Sequence, residues 1–190
     1  MLGQVTVQAP RRARRGFTMI ELFVGVAIVA IILALGVPSL RNWMVAQRVS
    51  SVATELVTDM RYARAEAISA NVQAFIAFYN IGNGCYIVFR GPPNRGEACD
   101  CAATPKCQAQ WTELKTVILP DPGDVRLTTP MSQLAYETGS SLSLDTNLSA
   151  TVTINGGSPS RQLSVIPTYG VSQPKICAPT GSKIPGFKPC

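Results

Sequence analysis

The sequence predicts an α+β protein: one long N-terminal helix, apolar in its first half, packed on an antiparallel β-sheet domain with a disulfide-braced C-terminal region. Three observations carry this expectation. Leu22 to Leu40 is a 19-residue run without charge, and roughly 20 helical residues at 1.5 Å each cross the hydrocarbon of a bilayer. Behind that run, apolar residues recur at three- and four-residue steps as far as Ala67, the spacing of an amphipathic helix. From Val72 onward, short apolar runs alternate with glycine- and proline-rich turns, and all six cysteines lie in this part.

The helix is expected from about Phe17 to Asn71, in two halves. The first, 17–40, is apolar all round, as a lipid-embedded helix should be. Gly36 and Pro38 then interrupt it. A proline removes one backbone hydrogen bond and clashes with the preceding turn, so a kink or local melting is expected there. In the second half, 41–71, Val45, Val49, Val52, Leu56, Met60, Ala63 and Ala67 form one stripe for packing onto a sheet. Arg41, Arg48, Glu55, Arg61, Arg64 and Glu66 take the other faces, and Arg64 and Glu66 read as a solvated helix face.

The β-rich part, 72–190, opens on a hairpin. Val72–Tyr79 and Cys85–Arg90 flank the turn residues Gly82-Asn83-Gly84. A loop from Gly91 to about Gln110 follows, with three cysteines whose cross-links stand in for a missing core. Further strands are expected at Trp111–Leu119, Val125–Thr128, Leu134–Glu137, Leu148–Ile154 and Arg161–Ile166. The tail from Pro174 holds four prolines and three lysines and reads as an irregular strap.

Cys85, Cys99, Cys101, Cys107, Cys177 and Cys190 are even in number and follow a membrane-length segment, which favours disulfides in an oxidising compartment. Cys99-Asp100-Cys101 with Cys107 also resembles a fragment of a thiolate metal site, but the spacing lacks a Cys-x-x-Cys pair and any histidine. No metal or other cofactor is expected. The preferred pairing closes a C-terminal loop through Cys177 and Cys190 and leaves the other four to pair among themselves.

A formal charge of +6 invites a polyanion partner, yet four of the 17 basic residues, Arg11, Arg12, Arg14 and Arg15, precede Gly16. The remaining 13 face 11 acids, a balance of +2. Histidine is absent, which removes the usual general base and the Ser-His and Cys-His nucleophile pairs. There is no acid–base constellation and no glycine-rich phosphate loop, so no enzymatic role is expected.

The leader arginines followed by an apolar run could be a secretory signal peptide, but the small residue suited to cleavage, Gly16, precedes the run instead of following it. Cutting there removes the charges and keeps the apolar helix. The stretch Gly16-Phe17-Thr18-Met19-Ile20-Glu21 resembles the class III signal of type IV prepilins and type II secretion pseudopilins, with Gly16 at the cleavage site, Phe17 as the N-methylated new terminus, Glu21 as the single acid and Pro38 as the helix-interrupting proline. Met60 to Ile68, the hairpin ending Tyr86-Ile87-Val88-Phe89, and Leu163 to Gly170 are similar to the helix end, next element and closing strand of the GspH/FimT group.

The resemblance implies a type IV pilin fold with a cleaved leader at 1–16. It implies a single-pass inner-membrane subunit with a periplasmic C-terminal domain, passing later into a pilus or pseudopilus. The implied partners are prepilin peptidase, other minor and major pilins, and the inner-membrane assembly platform. Its implied role is a minor pilin that primes or caps a type IV pilus; a GspH-type pseudopilin of a secretion system shares the architecture. Some FimT-like pilins bind DNA through a C-terminal Gly-Arg-x-Arg pattern. Here that stretch reads Gly170-Val171-Ser172-Gln173 without arginine, leaving Lys175, Lys183 and Lys188 as the candidate phosphate contacts for a nucleic-acid partner.

Overall fold

The computed structural model describes residues 18–92, 99–120, 123–137, 142–144, 151–167 and 173–190. They form two compact units, divided between Arg41 and Asn42. A single helix, α1 (Met19–Ala70), contributes to both. Helical backbone continues through Gly36 and Pro38, so the expected local melting does not occur. The helix stops at Asn71, which adopts the left-handed conformation (φ 53°). The Val72 N–H then reaches back to the Ala67 carbonyl at 3.3 Å. That bond satisfies an orphan carbonyl of the last turn, and asparagine is one of the few residues that tolerates the conformation.

Among the described residues nine strands follow, in two antiparallel sheets. The first has the order β3-β2-β1-β5-β6, built from β1 (Gln73–Tyr79), β2 (Cys85–Gly91), β3 (Thr112–Ile118), β5 (Gln133–Tyr136) and β6 (Leu142–Leu144). The second has the order β4-β7-β8-β9, built from β4 (Arg126–Thr128), β7 (Val152–Asn155), β8 (Gln162–Ile166) and β9 (Lys175–Cys177). The β1–β2 hairpin runs in register from Gln73↔Gly91 to Tyr79↔Cys85. Its connection, Asn80 to Gly84, holds the expected turn residues Gly82-Asn83-Gly84. Gly84 (φ 98°) lies so close to β4 that a Cβ there would stand 2.6 Å from the Leu127 carbonyl oxygen.

The alternation of side chains along a strand explains why β1 and β2 read as continuous apolar runs. Ala74, Ile76 and Phe78 with Tyr86 and Val88 join the helix stripe and the inner face of the second sheet in the main core. Phe75, Ala77, Ile87 and Phe89 face the other way, into a second cluster with Trp111, Cys85, Cys99 and Cys101. Phe75 and Phe89 stack with ring centroids 5.3 Å apart, and the Trp111 ring sits edge-on to both.

The helix stripe is buried as expected except that Val52 is half-buried. Ala53, Val57 and the charged Asp59 are buried beside it. Glu66 does not sit on a solvated face: it pairs with Arg90 on β2. The strand expected from Leu148 is described only as Val152–Asn155, with 148–150 outside the described residues. The tail is not wholly irregular, because β9 pairs with β8 from Ile166↔Lys175 to Ser164↔Cys177. Disulfides join Cys85 to Cys101, Cys99 to Cys107 and Cys177 to Cys190, which removes all three cysteines of the Cys-x-Cys segment from thiolate metal ligation.

Candidate functional site

The N-terminal end of α1 is assembled from local capping. Gly16 and Phe17 lie outside the described residues, and the side chain of Pro38 does too. Thr18 begins the helix: its Oγ1 accepts the Glu21 N–H at 3.3 Å and its carbonyl accepts the Leu22 N–H at 3.2 Å. Threonine at the cap with glutamate three residues on is a capping-box pattern. The Glu21 carboxylate also sits where the helix dipole favours a negative charge. The Thr-x-x-Glu spacing was present in the sequence as a cap signal that the sequence reading left unused.

Around and beyond Glu21 the described helix residues expose apolar side chains. Ile20, Leu22, Phe23, Val26, Ile31 and Ile32 are all exposed, and α1 is long and apolar enough to cross a membrane. A helix that is apolar on every face is stable only in lipid or among other apolar helices. The chemistry of this end is therefore a single carboxylate carried at the head of an apolar surface.

The amphipathic half of the helix is fastened to the sheet by a charged cluster. Asp59, only 4% exposed, accepts the Tyr86 hydroxyl at 2.7 Å and Lys115 Nζ at 2.8 Å. Lys115 also reaches Glu55 at 2.9 Å. Burial, then the hydrogen bond to Asp59, pushes the Tyr86 hydroxyl well above the ordinary tyrosine range. At Lys115, partial burial works toward a lower pKa, but the hydrogen bonds to Asp59 and Glu55 outweigh it and the net shift is upward. Sequence reading missed Asp59 as a clamp, although it stands on the apolar stripe between Leu56 and Ala63.

At the opposite end of the chain, Cys177 and Cys190 hold the tail so that the Ala178 N–H bonds the Lys188 carbonyl and the Cys190 N–H bonds the Ala178 carbonyl. Lys175, Lys183 and Lys188 are exposed, yet the β8–β9 ladder does not gather them. Lys175 pairs opposite Ile166, whereas the Lys183 N–H bonds the Ser160 carbonyl ahead of β8.

Comparison with protein families fits this architecture. The family described as type II transport protein GspH matches residues 52–168, more than half of the chain. The chain belongs to the GspH family. The prokaryotic N-terminal methylation motif matches residues 11–37, spanning the leader arginines, Glu21 and most of the uncharged run. Comparison with curated proteins and with solved structures gives no match. As a GspH-family chain with the methylation motif, the protein is a minor pilin or pseudopilin, a structural subunit anchored in the membrane by its N-terminal helix. Membership implies association with other pilins in a pilus or pseudopilus.

Proposed function

We propose that this GspH-family chain is a minor pilin that primes or caps a type IV pilus. Prepilin peptidase would cut after Gly16 and methylate the Phe17 amine, leaving Glu21 as the fifth residue of the mature subunit. The inner membrane holds the apolar half of the helix while the β-rich unit faces the periplasm. The observation that carries this reading is the lone carboxylate of Glu21 at the head of an exposed, uncharged helix. An ionised carboxylate in apolar surroundings costs a few kcal/mol unless it is paired, and the Phe17 amine of a neighbouring subunit is the available cation. Pairing across subunits rewards one register and penalises slips.

The cysteine-braced tail supports the pilus reading, since it offers a cross-linked surface to other minor subunits at the filament tip. The description of the matched family favours a second reading, a pseudopilin of a type II secretion machine. The DNA-receptor alternative rests only on Lys175, Lys183 and Lys188; a few phosphate contacts give weak, salt-sensitive binding.

Intact mass and N-terminal sequencing of the chain purified from its native membrane without reductant test the proposal. The expected product starts at methylated Phe17 and is lighter by six hydrogens, for its three disulfides. An uncut Met1 start, or cleavage beyond Leu40, would sink the filament-subunit reading.

A further inference from the structure

At the start of the second unit, the turn between β7 and β8 is folded onto the first turns of its helix. Gly156 packs so closely that a Cβ there would stand 2.7 Å from Val45 Cγ1 and 3.0 Å from Val49 Cγ2. Arg161 locks the arrangement: its Nε donates to the Gly156 carbonyl at 3.0 Å, and its NH1 donates to the Asn42 side-chain oxygen. The tail adds Lys183, whose N–H bonds the Ser160 carbonyl at 2.8 Å, beside Ser182, whose hydroxyl bonds the Gln162 carbonyl at 2.7 Å. Next to Asn42, Trp43 is 59% exposed.

These residues are brought to one end of the unit: Arg161 bonds Asn42, the neighbour of Trp43, and Lys183 bonds Ser160, the neighbour of Arg161, so an exposed indole and two cations gather there. No acid follows Asp145 in the sequence, so the β7–β8 turn and the tail bring positive charge and none of the opposite sign. Position along the chain supplies the rest. Trp43 follows Leu40, the last residue of the uncharged run, by three residues, or about 4.5 Å of helix rise. Tryptophan favours the headgroup level of a bilayer, where its apolar body and N–H are both satisfied, and basic residues there are attracted by anionic lipids.

We propose that the surface formed by Trp43, Arg161 and Lys183 docks on the anionic headgroup layer of the membrane that holds the subunit before assembly. This rests on the reading of Leu22–Leu40 as the membrane segment. The contact fastens the folded unit to the bilayer in addition to the helix, and extraction of the subunit must break it.

The test uses the full chain reconstituted in vesicles of phosphatidylcholine alone or with one third phosphatidylglycerol. Pulsed acylation of lysines is read by peptide mass spectrometry. Lys175, opposite Ile166 at the far end of the β8–β9 ladder, is the internal control. Lys183 should react about fivefold more slowly on the anionic vesicles, the factor one basic residue near such a surface is worth, and Lys175 should not change. High salt should abolish the difference, and Arg161→Gln with Trp43→Ala should weaken it at unchanged far-UV circular dichroism. Equal Lys183 labelling on both vesicles of a chain that resists carbonate extraction would overturn the proposal and leave the anchor reading standing. Protection that follows protein density instead of lipid charge would assign the surface to a second copy and also overturn it. A chain released by carbonate would overturn the anchor reading, and the proposal with it.

Discussion

Two carboxylates show how position decides the role of the same chemistry. Asp59 is buried, and its two oxygens are held by a phenol and an ammonium. Removing them leaves the Tyr86 hydroxyl without its acceptor and Lys115 without its buried counterion. Asp59→Ala should therefore cost about 2–4 kcal/mol, read as a lowered urea midpoint of the detergent-solubilised chain. Asp59→Asn keeps an acceptor for Tyr86 and should cost less. Glu21 is exposed, so its replacement should leave that midpoint unchanged. What it should change is assembly: losing even about 1.4 kcal/mol of pairing energy is a tenfold drop in association. Glu21→Ala chains should be cleaved normally and fall at least that far in sheared filaments, measured by quantitative blotting; undiminished incorporation would remove Glu21 from the assembly role.

At the scale of elements, legibility follows how local the deciding interactions are. The helix was readable from its own spacing, and the hairpin from two apolar runs around Gly82-Asn83-Gly84. The β9 strand was not, because Lys175-Ile176-Cys177 among prolines has no strand signal of its own; β8 supplies the ladder and the Cys177–Cys190 bond holds the return. The split into two sheets was equally hidden, since β1 pairs with β5 across a long stretch of chain. The roles proposed for Gly16, Phe17 and Glu21 rest on sequence order alone, whereas the Asp59 clamp needed Tyr86 and Lys115 brought in from two strands. The tail bond spans 13 residues, and closing a loop of that size is worth about 3 kcal/mol in chain entropy. Changing Cys177 and Cys190 to serine together should fray β9 and the Ala178–Pro189 bridge first. Amide exchange at Ala178 and Cys190 should rise by orders of magnitude while β1 and β2 stay protected.

The whole molecule joins two cores through one sheet, and the protonation of its two buried tyrosines and of the clamp lysine shifts in one direction. Burial raises Tyr86 and Tyr136 above the ordinary 10.0 of tyrosine, and the pairing with Asp59 and Glu55 raises Lys115 above 10.5. In each case the folded state binds its proton more tightly than the unfolded chain. The stability they contribute is complete below the unfolded values and declines as the pH rises past them. Thermal unfolding should therefore be flat from neutrality to about pH 9.5 and shift downward beyond about pH 10. A midpoint unchanged at pH 11 would contradict the assigned burial of these groups.

Cys99 and Cys101 are two positions apart, yet one bonds forward within its own loop and the other backward to β2. The observed loops interleave, and the sequential alternative, Cys85 with Cys99 and Cys101 with Cys107, would close loops only two residues shorter each. Chain entropy scarcely distinguishes the two patterns, by about 0.4 kcal/mol over both loops. What favours the observed pattern is the folded cluster, in which Cys85, Cys99 and Cys101 are buried together with Phe75, Phe89 and Trp111. The cross-links thus carry information that chain length does not: which sulfurs pair is decided by the packed cluster around them.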